Sequence, residues 1–223
     1  MEIVVEEYKP LGDTEFSTLT NKVKDAKPDA VFNTLNGDSN VAFFKQLKSL
    51  GITAATMPVI SVSIAEEEVK GIGPDILAGH VVAWDYYQTT DNPQNTKFVA
   101  AFKKKYGADS VTSDPMEAAY TSVYLWAAAV KKAGSTDVTK VKAAAAGLTW
   151  LAPEGKVTID GPTQHIYKTA RIGLIGADGQ IKEVWNSGSP IKPDPAISGC
   201  RSSSPWWLRS SSPDSSASYS NAC

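Results

Sequence analysis

Residues 30–51 have the sequence AVFNTLNGDSNVAFFKQLKSLG, in which an apolar run, a polar loop and an amphipathic stretch follow one another. The apolar run, residues 30–35, predicts a buried strand. The polar loop, residues 36–40, leads into a helix with apolar side chains at helical spacing from Val41 onward. Gly51 then supplies the residue type that commonly ends a helix. A strand followed directly by a helix is the repeating unit of parallel α/β sheets.

The same alternation continues on both sides of this stretch. Apolar runs predict further strands at residues 3–8, 58–63 and 79–87, and the spacing of apolar residues predicts a helix over 16–26. The first 88 residues therefore predict an α/β fold with a Rossmann-like parallel sheet flanked by helices.

The pattern changes after Tyr87. Helices are predicted to begin at Pro93 and Asp114 and to cover residues 138–146, and no strands are predicted among them. The helix over residues 114–132 is apolar on most sides, so it should be covered on several faces. The sheet that it should cover is not predicted in this stretch.

Two features mark the last part of the chain. Apolar segments at residues 167–175 and 180–185 flank Asp178-Gly179, which predicts a β-hairpin. From Ser198 onward the composition shifts, and eleven of the 26 residues 198–223 are serine. That composition predicts a disordered tail, either native or foreign to the domain.

Composition excludes several classes of protein. The formal net charge is −2, whereas a nucleic-acid partner requires a basic face. No run of about 18 apolar residues exists, so direct membrane insertion is not expected. The residues after Met1 lack the pattern of a secretion signal. The cysteines, Cys200 and Cys223, both lie in the serine-rich segment, so thiol chemistry is not expected in the body of the chain.

Three stretches of the chain carry a resemblance to a known family. They are Asn33 to Phe44 (NTLNGDSNVAFF), Ser61 to Glu68 (SVSIAEEE) and Asp114 to Tyr120 (DPMEAAY). Together they resemble the urea-binding proteins of ABC importers, which belong to the type I periplasmic binding-protein family together with short-amide and branched-chain amino-acid receptors. The likeness extends from about residue 2 to about residue 195.

The resemblance implies a fold of two α/β lobes with the ligand between them. It implies that residues 1–88 form the sheet of the second lobe and that residues 89–160 are helices that return to the first lobe. Residues 161–197 would return to the second lobe with the β-hairpin, and residues 198–223 would be the tail. The first lobe would then be largely missing from this chain, which would carry about half of the binding site.

In open parallel sheets, ligands bind beyond the carboxyl ends of the strands. Urea, the ligand implied by the resemblance, accepts hydrogen bonds at its oxygen and donates them from its amino groups, so its site needs convergent acceptors and a donor. Asn36, Gly37 and Asp38 offer such groups after the strand at residues 30–35. Two interpretations stay open, since Asp38 or Ser39 could instead cap the next helix.

Candidate ligand residues also follow the next two strands. Ser61 and Ser63 share one face of their strand, and Glu66 either contacts the ligand or belongs to a capping box that begins at Ser63. Trp84 and Tyr86 share a face at the next strand end, where they either form a core pair or line the cleft.

No catalytic group is predicted. The two histidines, His80 and His165, are isolated, and Asp114 and Glu117 fit helix capping, so neither a metal nor a cofactor is expected. The predicted function is the solute-binding component of an ABC importer, periplasmic or on the cell surface, with a small-molecule ligand and ABC permease subunits as partners. The alternatives are a cytoplasmic amide sensor that controls a regulator and an amide hydrolase.

Overall fold

Strands and helices alternate through most of the residues that the computed structural model describes, 2–195. The helices are α1 (Ser17–Ala26), α2 (Asp38–Ser49), α3 (Glu66–Ile72), α4 (Pro74–Leu77), α5 (Pro93–Tyr106), α6 (Asp114–Ala133) and α7 (Val138–Ala145). The strands are β1 (Val31–Asn33), β2 (Val59–Ser61), β3 (Val81–Trp84), β4 (Thr149–Ala152), β5 (Gly155–Ile159), β6 (Ile166–Tyr167), β7 (Arg171–Ile175) and β8 (Ile181–Asn186). The predicted tail, residues 198–223, lies outside the described residues.

The larger sheet has five strands in the order β1-β2-β3-β7-β8. Strands β1, β2 and β3 are parallel, with Asn33 opposite Ser61, and β7 joins β3 antiparallel. The parallel α/β sheet predicted from the alternation is therefore confirmed. The hairpin around Asp178-Gly179 is confirmed as β7 and β8, and Gly179 adopts a positive φ of 75° in its turn.

A second sheet was not predicted. Strands β4, β5 and β6 form an antiparallel sheet, so the prediction that residues 89–160 hold helices without strands is wrong. Strands β4 and β5 have four and five residues and are joined by the two-residue turn Pro153-Glu154, so each is too short for a clear alternation. Strand β6 pairs with β5, which removes Tyr167 from the predicted hairpin strand.

The strand predicted at residues 3–8 is also wrong, because the structure gives that segment no strand. Its apolar side chains are not packed on the sheet, since Ile3 is 71% exposed and Tyr8 is 84% exposed. In the described part of the chain β1 pairs only with β2, so one edge of the sheet stays open beside it.

The main core lies between the larger sheet and helices α1 to α4. Phe43 of α2 makes edge-to-face contacts with Phe16 at 5.7 Å and with Phe44 at 5.4 Å between ring centroids. His80 packs on Phe44 and its Nδ1 accepts a 3.0 Å bond from the backbone N–H of Val59. Burial lowers the pKa of His80 to about 4, so it is a neutral packing residue.

Helices α6 and α7 accompany the smaller sheet, where Leu125 of α6 packs against Ala152 and Val157. As the sequence predicts, α6 is broadly apolar, and it exposes Val123, Tyr124 and Trp126. Within residues 2–195 no helix has the length and apolar character needed to cross a membrane.

Candidate ligand-binding site

The carboxyl ends of β1, β2 and β3 meet at one edge of the larger sheet, because these three neighbouring strands run parallel. The loops that follow them, residues 34–37, 62–65 and 85–88, carry four of the eight predicted ligand residues, and the other four directly flank these loops. We call this region the ligand edge. It is where a parallel sheet places its ligand.

A network of amides and hydroxyls joins the first two loops. The Nδ2 of Asn33 donates to Oδ1 of Asn40 at 2.9 Å and to Oγ of Ser61 at 3.0 Å. The Nδ2 of Asn40 donates to the carbonyl of Leu35 at 2.8 Å and to Oγ of Ser63 at 3.4 Å. The Ser63 hydroxyl in turn donates to the Leu35 carbonyl. These bonds fix the loops after β1 and β2 relative to each other without using a charged group.

The two serines have different positions in this network. Ser61 is fully buried, and its hydroxyl oxygen accepts a bond from Asn33. Ser63 is half-buried and lies nearer the surface. Strand β2 ends at Ser61, so Ser63 lies in the loop beyond it, and both serines contact the asparagine network. Ser63 is therefore the serine that a ligand at the edge could reach.

The residues after β1 are exposed at the N-terminus of α2. Gly37 is the N-cap with a positive φ of 60°, and no side chain caps this helix. The capping interpretation is wrong, because Asp38 is the first helical residue and Ser39 donates to the carbonyl of Asp13 at 2.8 Å. Asn36 and Asp38 therefore lie at the ligand edge, and both residues are exposed to solvent.

Glu66 is buried, and only one of its two carboxyl oxygens has a hydrogen bond. Its Oε1 accepts a 2.6 Å bond from the backbone N–H of Gln88, while its Oε2 has no hydrogen-bond partner among the described residues. Burial raises the pKa of Glu66 to about 8, so the carboxyl holds a proton at neutral pH. The capping box predicted from Ser63 to Glu66 is wrong, because Glu68 accepts from the N–H of Ala65 at 2.9 Å instead.

Trp84 and Tyr86, which were predicted to share a face, lie in different environments. Trp84 ends β3 half-buried, and its indole N–H donates to the carbonyl of Ile64 at 2.7 Å, which links the loops after β2 and β3. Tyr86 is fully buried, and its hydroxyl donates to Oδ1 of Asn95 at 2.7 Å. The structure thus brings Trp84 to the ligand edge, and the core interpretation holds for Tyr86.

Sequence reasoning missed Asn33, Asn40 and Asp85. The two asparagines are polar residues inside a buried strand and a buried helix turn, and a buried amide requires hydrogen-bond partners. That requirement is a signal that could have identified them. Asp85 directly follows β3, and no pattern in the sequence distinguishes it from an ordinary loop carboxylate.

The carboxylates of Asp114 and Glu117 do not cap α6. Ser113 is the N-cap, and Asp114 accepts a 3.0 Å bond from the backbone N–H of Asp85. Glu117 accepts from the Thr121 hydroxyl at 2.6 Å and from the backbone N–H of Glu154 at 3.3 Å. Across residues 2–195 the structure contains no group of three or more acidic, histidine or cysteine side chains arranged to hold a metal ion.

Comparison with known proteins identifies the family. The profile of the periplasmic binding protein domain matches residues 1–200. The chain is 27% identical to a Leu/Ile/Val-binding protein homolog 6 of Brucella melitensis biotype 1 over 169 residues, which is 74% of this chain and 43% of that protein. It is 34% identical over 126 residues to a protein named limonene hydroxylase of Geobacillus stearothermophilus, which is 56% of this chain and 23% of that protein.

A solved structure has the same fold over most of the chain. It is the solute-binding protein of an ABC transporter from R. palustris in complex with 4-hydroxybenzoate, with a TM-score of 0.76 and 26% identity. The match covers 85% of this chain and 53% of that one. The chain therefore spans less than half the length of the two curated relatives and about half that of the solved protein.

Proposed function

Because the chain belongs to the periplasmic binding protein domain family, we propose that it is part of the solute-binding component of an ABC importer. The observation that supports this most is the ligand edge, where three loops converge beyond parallel strands. The Asn33–Asn40 network joins the first two loops, and the Trp84 indole links the second to the third. Two of the three similar proteins are named as binding proteins, which favours transport over the sensor alternative. The name limonene hydroxylase belongs to a protein of which this chain matches less than a quarter, so it does not support an enzyme activity here.

The ligand that best fits this edge is urea or a related short amide. The Leu35 carbonyl and the Ser63 proton already bond within the network, but the Ser63 oxygen can accept one further bond and the exposed Asn36 amide has an oxygen and a second N–H, which suit a neutral planar amide. A carboxylate ligand would favour a free cation at the edge. The cations that contact the third loop, Lys168 and Arg171, are already bonded to Asp85 and Glu154.

The lobe assignments follow from the same proposal. Strands β1 to β3 and β7 to β8 come from the predicted segments 1–88 and 161–197 and share one sheet, which we assign to the second lobe. Residues 89–160 would pack mainly on the first lobe. The chain then carries about half of the site, the whole protein works in the periplasm, and its partners are ABC permease subunits.

The ligand class can be tested by titrating the chain with urea, acetamide, leucine and 4-hydroxybenzoate while recording amide and indole NMR signals. Half a site should bind weakly, so we expect millimolar affinities. Urea and acetamide should shift the Trp84 indole N–H signal, because that group bonds to the loop beside Ser63. Trp84→Phe assigns the signal.

Two serine variants provide the control. Ser63→Ala should abolish the shifts, whereas Ser122→Ala, on the exposed surface of α6, should leave them unchanged. Shifts at the ligand edge with leucine or 4-hydroxybenzoate, and none with urea or acetamide, would show that the ligand class is wrong.

A further inference from the structure

The hydrogen bonds between the two asparagines form a closed ring that begins and ends at one residue. The backbone N–H of Leu35 donates to Oδ1 of Asn33 at 3.0 Å. The Nδ2 of Asn33 donates to Oδ1 of Asn40 at 2.9 Å, and the Nδ2 of Asn40 donates to the Leu35 carbonyl at 2.8 Å. We call this set of three residues (Asn33, Leu35 and Asn40) the amide ring.

The backbone of Leu35 fixes the direction of every bond in the amide ring. A backbone N–H can only donate, and a carbonyl can only accept. The Leu35 N–H therefore requires the oxygen of Asn33 beside it, and the Leu35 carbonyl requires the amide nitrogen of Asn40. Rotating either side-chain amide by half a turn would place like groups face to face inside the fold, where Asn33 and Asn40 are 3% and 0% exposed.

The amide ring also sets the role of the two serines. Asn33 uses its Nδ2 to donate to Oγ of Ser61 at 3.0 Å, and Asn40 uses its Nδ2 to donate to Oγ of Ser63 at 3.4 Å. Both hydroxyl oxygens are therefore acceptors. The Ser63 proton is engaged as well, because it is donated to the Leu35 carbonyl. What the half-buried Ser63 hydroxyl can still offer at the ligand edge is a lone pair of its oxygen.

We propose that the amide ring makes Ser63 a hydrogen-bond acceptor toward the solute, so that the ligand edge selects solutes by their N–H donors. The orientation of the Ser63 hydroxyl is independent of any ligand, whereas the selectivity rests on the proposed function. A ketone or carboxylate oxygen at this point would have to draw the Ser63 proton away from the Leu35 carbonyl, which costs a hydrogen bond. A solute N–H needs no such rearrangement.

The carbonyl carbon of Leu35 reports this orientation in the chain without ligand, because its NMR chemical shift responds to the hydrogen bonds that its oxygen accepts. Ser63→Ala removes one donor and should move the signal upfield, whereas Ser63→Thr keeps the hydroxyl and should leave the signal near its wild-type position. Ser122→Ala, at an exposed serine of α6, is the matched control and should have no effect. A Leu35 signal that does not respond to Ser63→Ala overturns the proposal.

Hydrogen exchange of side-chain amides tests the amide ring itself. The NH2 groups of Asn33 and Asn40 should exchange slowly with deuterated solvent, because both are buried and bonded. The NH2 group of the exposed Asn36 is the internal control and should exchange rapidly. Rapid exchange at all three asparagines would overturn the fixed orientation.

A series of three solutes of similar size tests the selectivity. Urea has an amino group on each side of its carbonyl, acetamide has one on a single side, and acetone has none. Titration followed at the Trp84 indole N–H should show acetone binding at least about tenfold more weakly than urea, since it cannot donate to Ser63. Ser63→Thr, which keeps the acceptor, should preserve this order.

The failure of this proposal and the failure of the proposed function give different results. Acetone that binds as tightly as urea overturns the selectivity of Ser63 and leaves the proposed solute class in place. If none of the three solutes binds while the Leu35 carbonyl responds to Ser63→Ala, the orientation is supported and the proposed solute class is contradicted.

Discussion

Glu66 shows how one side chain can have its protonation set by the fold. It is 2% exposed, and one of its oxygens bonds to the Gln88 N–H while the other has no partner among the described residues. A buried carboxylate in that position would be costly, so the carboxyl keeps its proton. The pKa of about 8, against the ordinary 4.5, follows mainly from burial.

This shift predicts a pH dependence of stability. Between about pH 4.5 and pH 8 the folded chain holds the Glu66 proton and the unfolded chain does not, so the free energy of unfolding should fall as the pH rises. Glu66→Gln mimics the protonated carboxyl and should remove this contribution, which is at most about 1.4 kcal/mol per pH unit. Urea or guanidinium unfolding at pH 5 and pH 9 measures it.

At pH 9 the Glu66→Gln variant should be more stable than the wild type, and at pH 5 the two should be nearly equal. Glu15→Gln, at an exposed carboxylate, should leave the profile unchanged. An unchanged difference between pH 5 and pH 9 in Glu66→Gln would show that the carboxyl is ionised in the fold.

The sequence predicted which loops form the ligand edge but not the state of each residue in it. The period of two predicted a shared face for Ser61 and Ser63; strand β2 ends at Ser61, yet both serines bond to the asparagine network. Tyr86 bonds to Asn95 of α5, and Glu66 accepts from the N–H of Gln88, 22 positions along the chain. Contacts of that kind leave no local pattern.

At the scale of elements, the packing of β7 against Tyr87 requires a glycine at position 173. A Cβ at Gly173 would lie 2.7 Å from Cζ of Tyr87, whose fully buried ring lies beside the strand and donates through its hydroxyl to the Val82 carbonyl. Gly173→Ala should therefore destabilise the chain by about 1–3 kcal/mol, because the packed strand cannot accept the added methyl group.

Gly71 in α3 is the matched comparison. An added Cβ there meets no atom within 4 Å, and alanine favours the helix, so Gly71→Ala should stabilise by about 0.5 kcal/mol. Thermal unfolding of the two variants measures both signs. Equal effects at the two positions would contradict the close approach of Tyr87 to β7.

The elements that were predicted correctly have long or repeated patterns, and the missed ones do not. Apolar residues recur over many positions in the strand and helix at residues 30–51. They do so as well in α6, which has 20 residues. Strands β4 and β5 have only four and five residues, and β6, which pairs with β5, has two, so none shows a long alternation. The apolar segment at residues 3–8 has a strand pattern but no neighbouring strand in the described part of the chain.

At the scale of the whole molecule, the exposed apolar side chains of α6 predict self-association. Val123 and Trp126 are 63% and 58% exposed and lie three positions apart, so they share one surface of the helix. Beside α6 lies a cavity of about 550 Å³ lined by aromatic residues of α5, α6 and β4. Exposed apolar patches of this kind mark interfaces, and in the lobe assignment proposed above the first lobe would cover this one.

Sedimentation velocity at several concentrations tests this expectation. The wild-type chain should form larger species as concentration rises, and the double variant Val123→Ser with Trp126→Gln should shift toward the monomer. Trp185→Gln, at an exposed tryptophan on β8, is the control and should not shift. A wild-type chain that stays monomeric at all concentrations would contradict the prediction.

The contacts of the first turn of α6 have a mechanical consequence. Its first turn contacts both sheets through Asp114 and Glu117, and its 20 residues extend about 30 Å from that point. A rotation of about 10° at that turn would carry the C-terminal end of the helix through an arc of about 5 Å. Small changes around Asp85 and Glu154 would therefore become larger displacements at that end of α6.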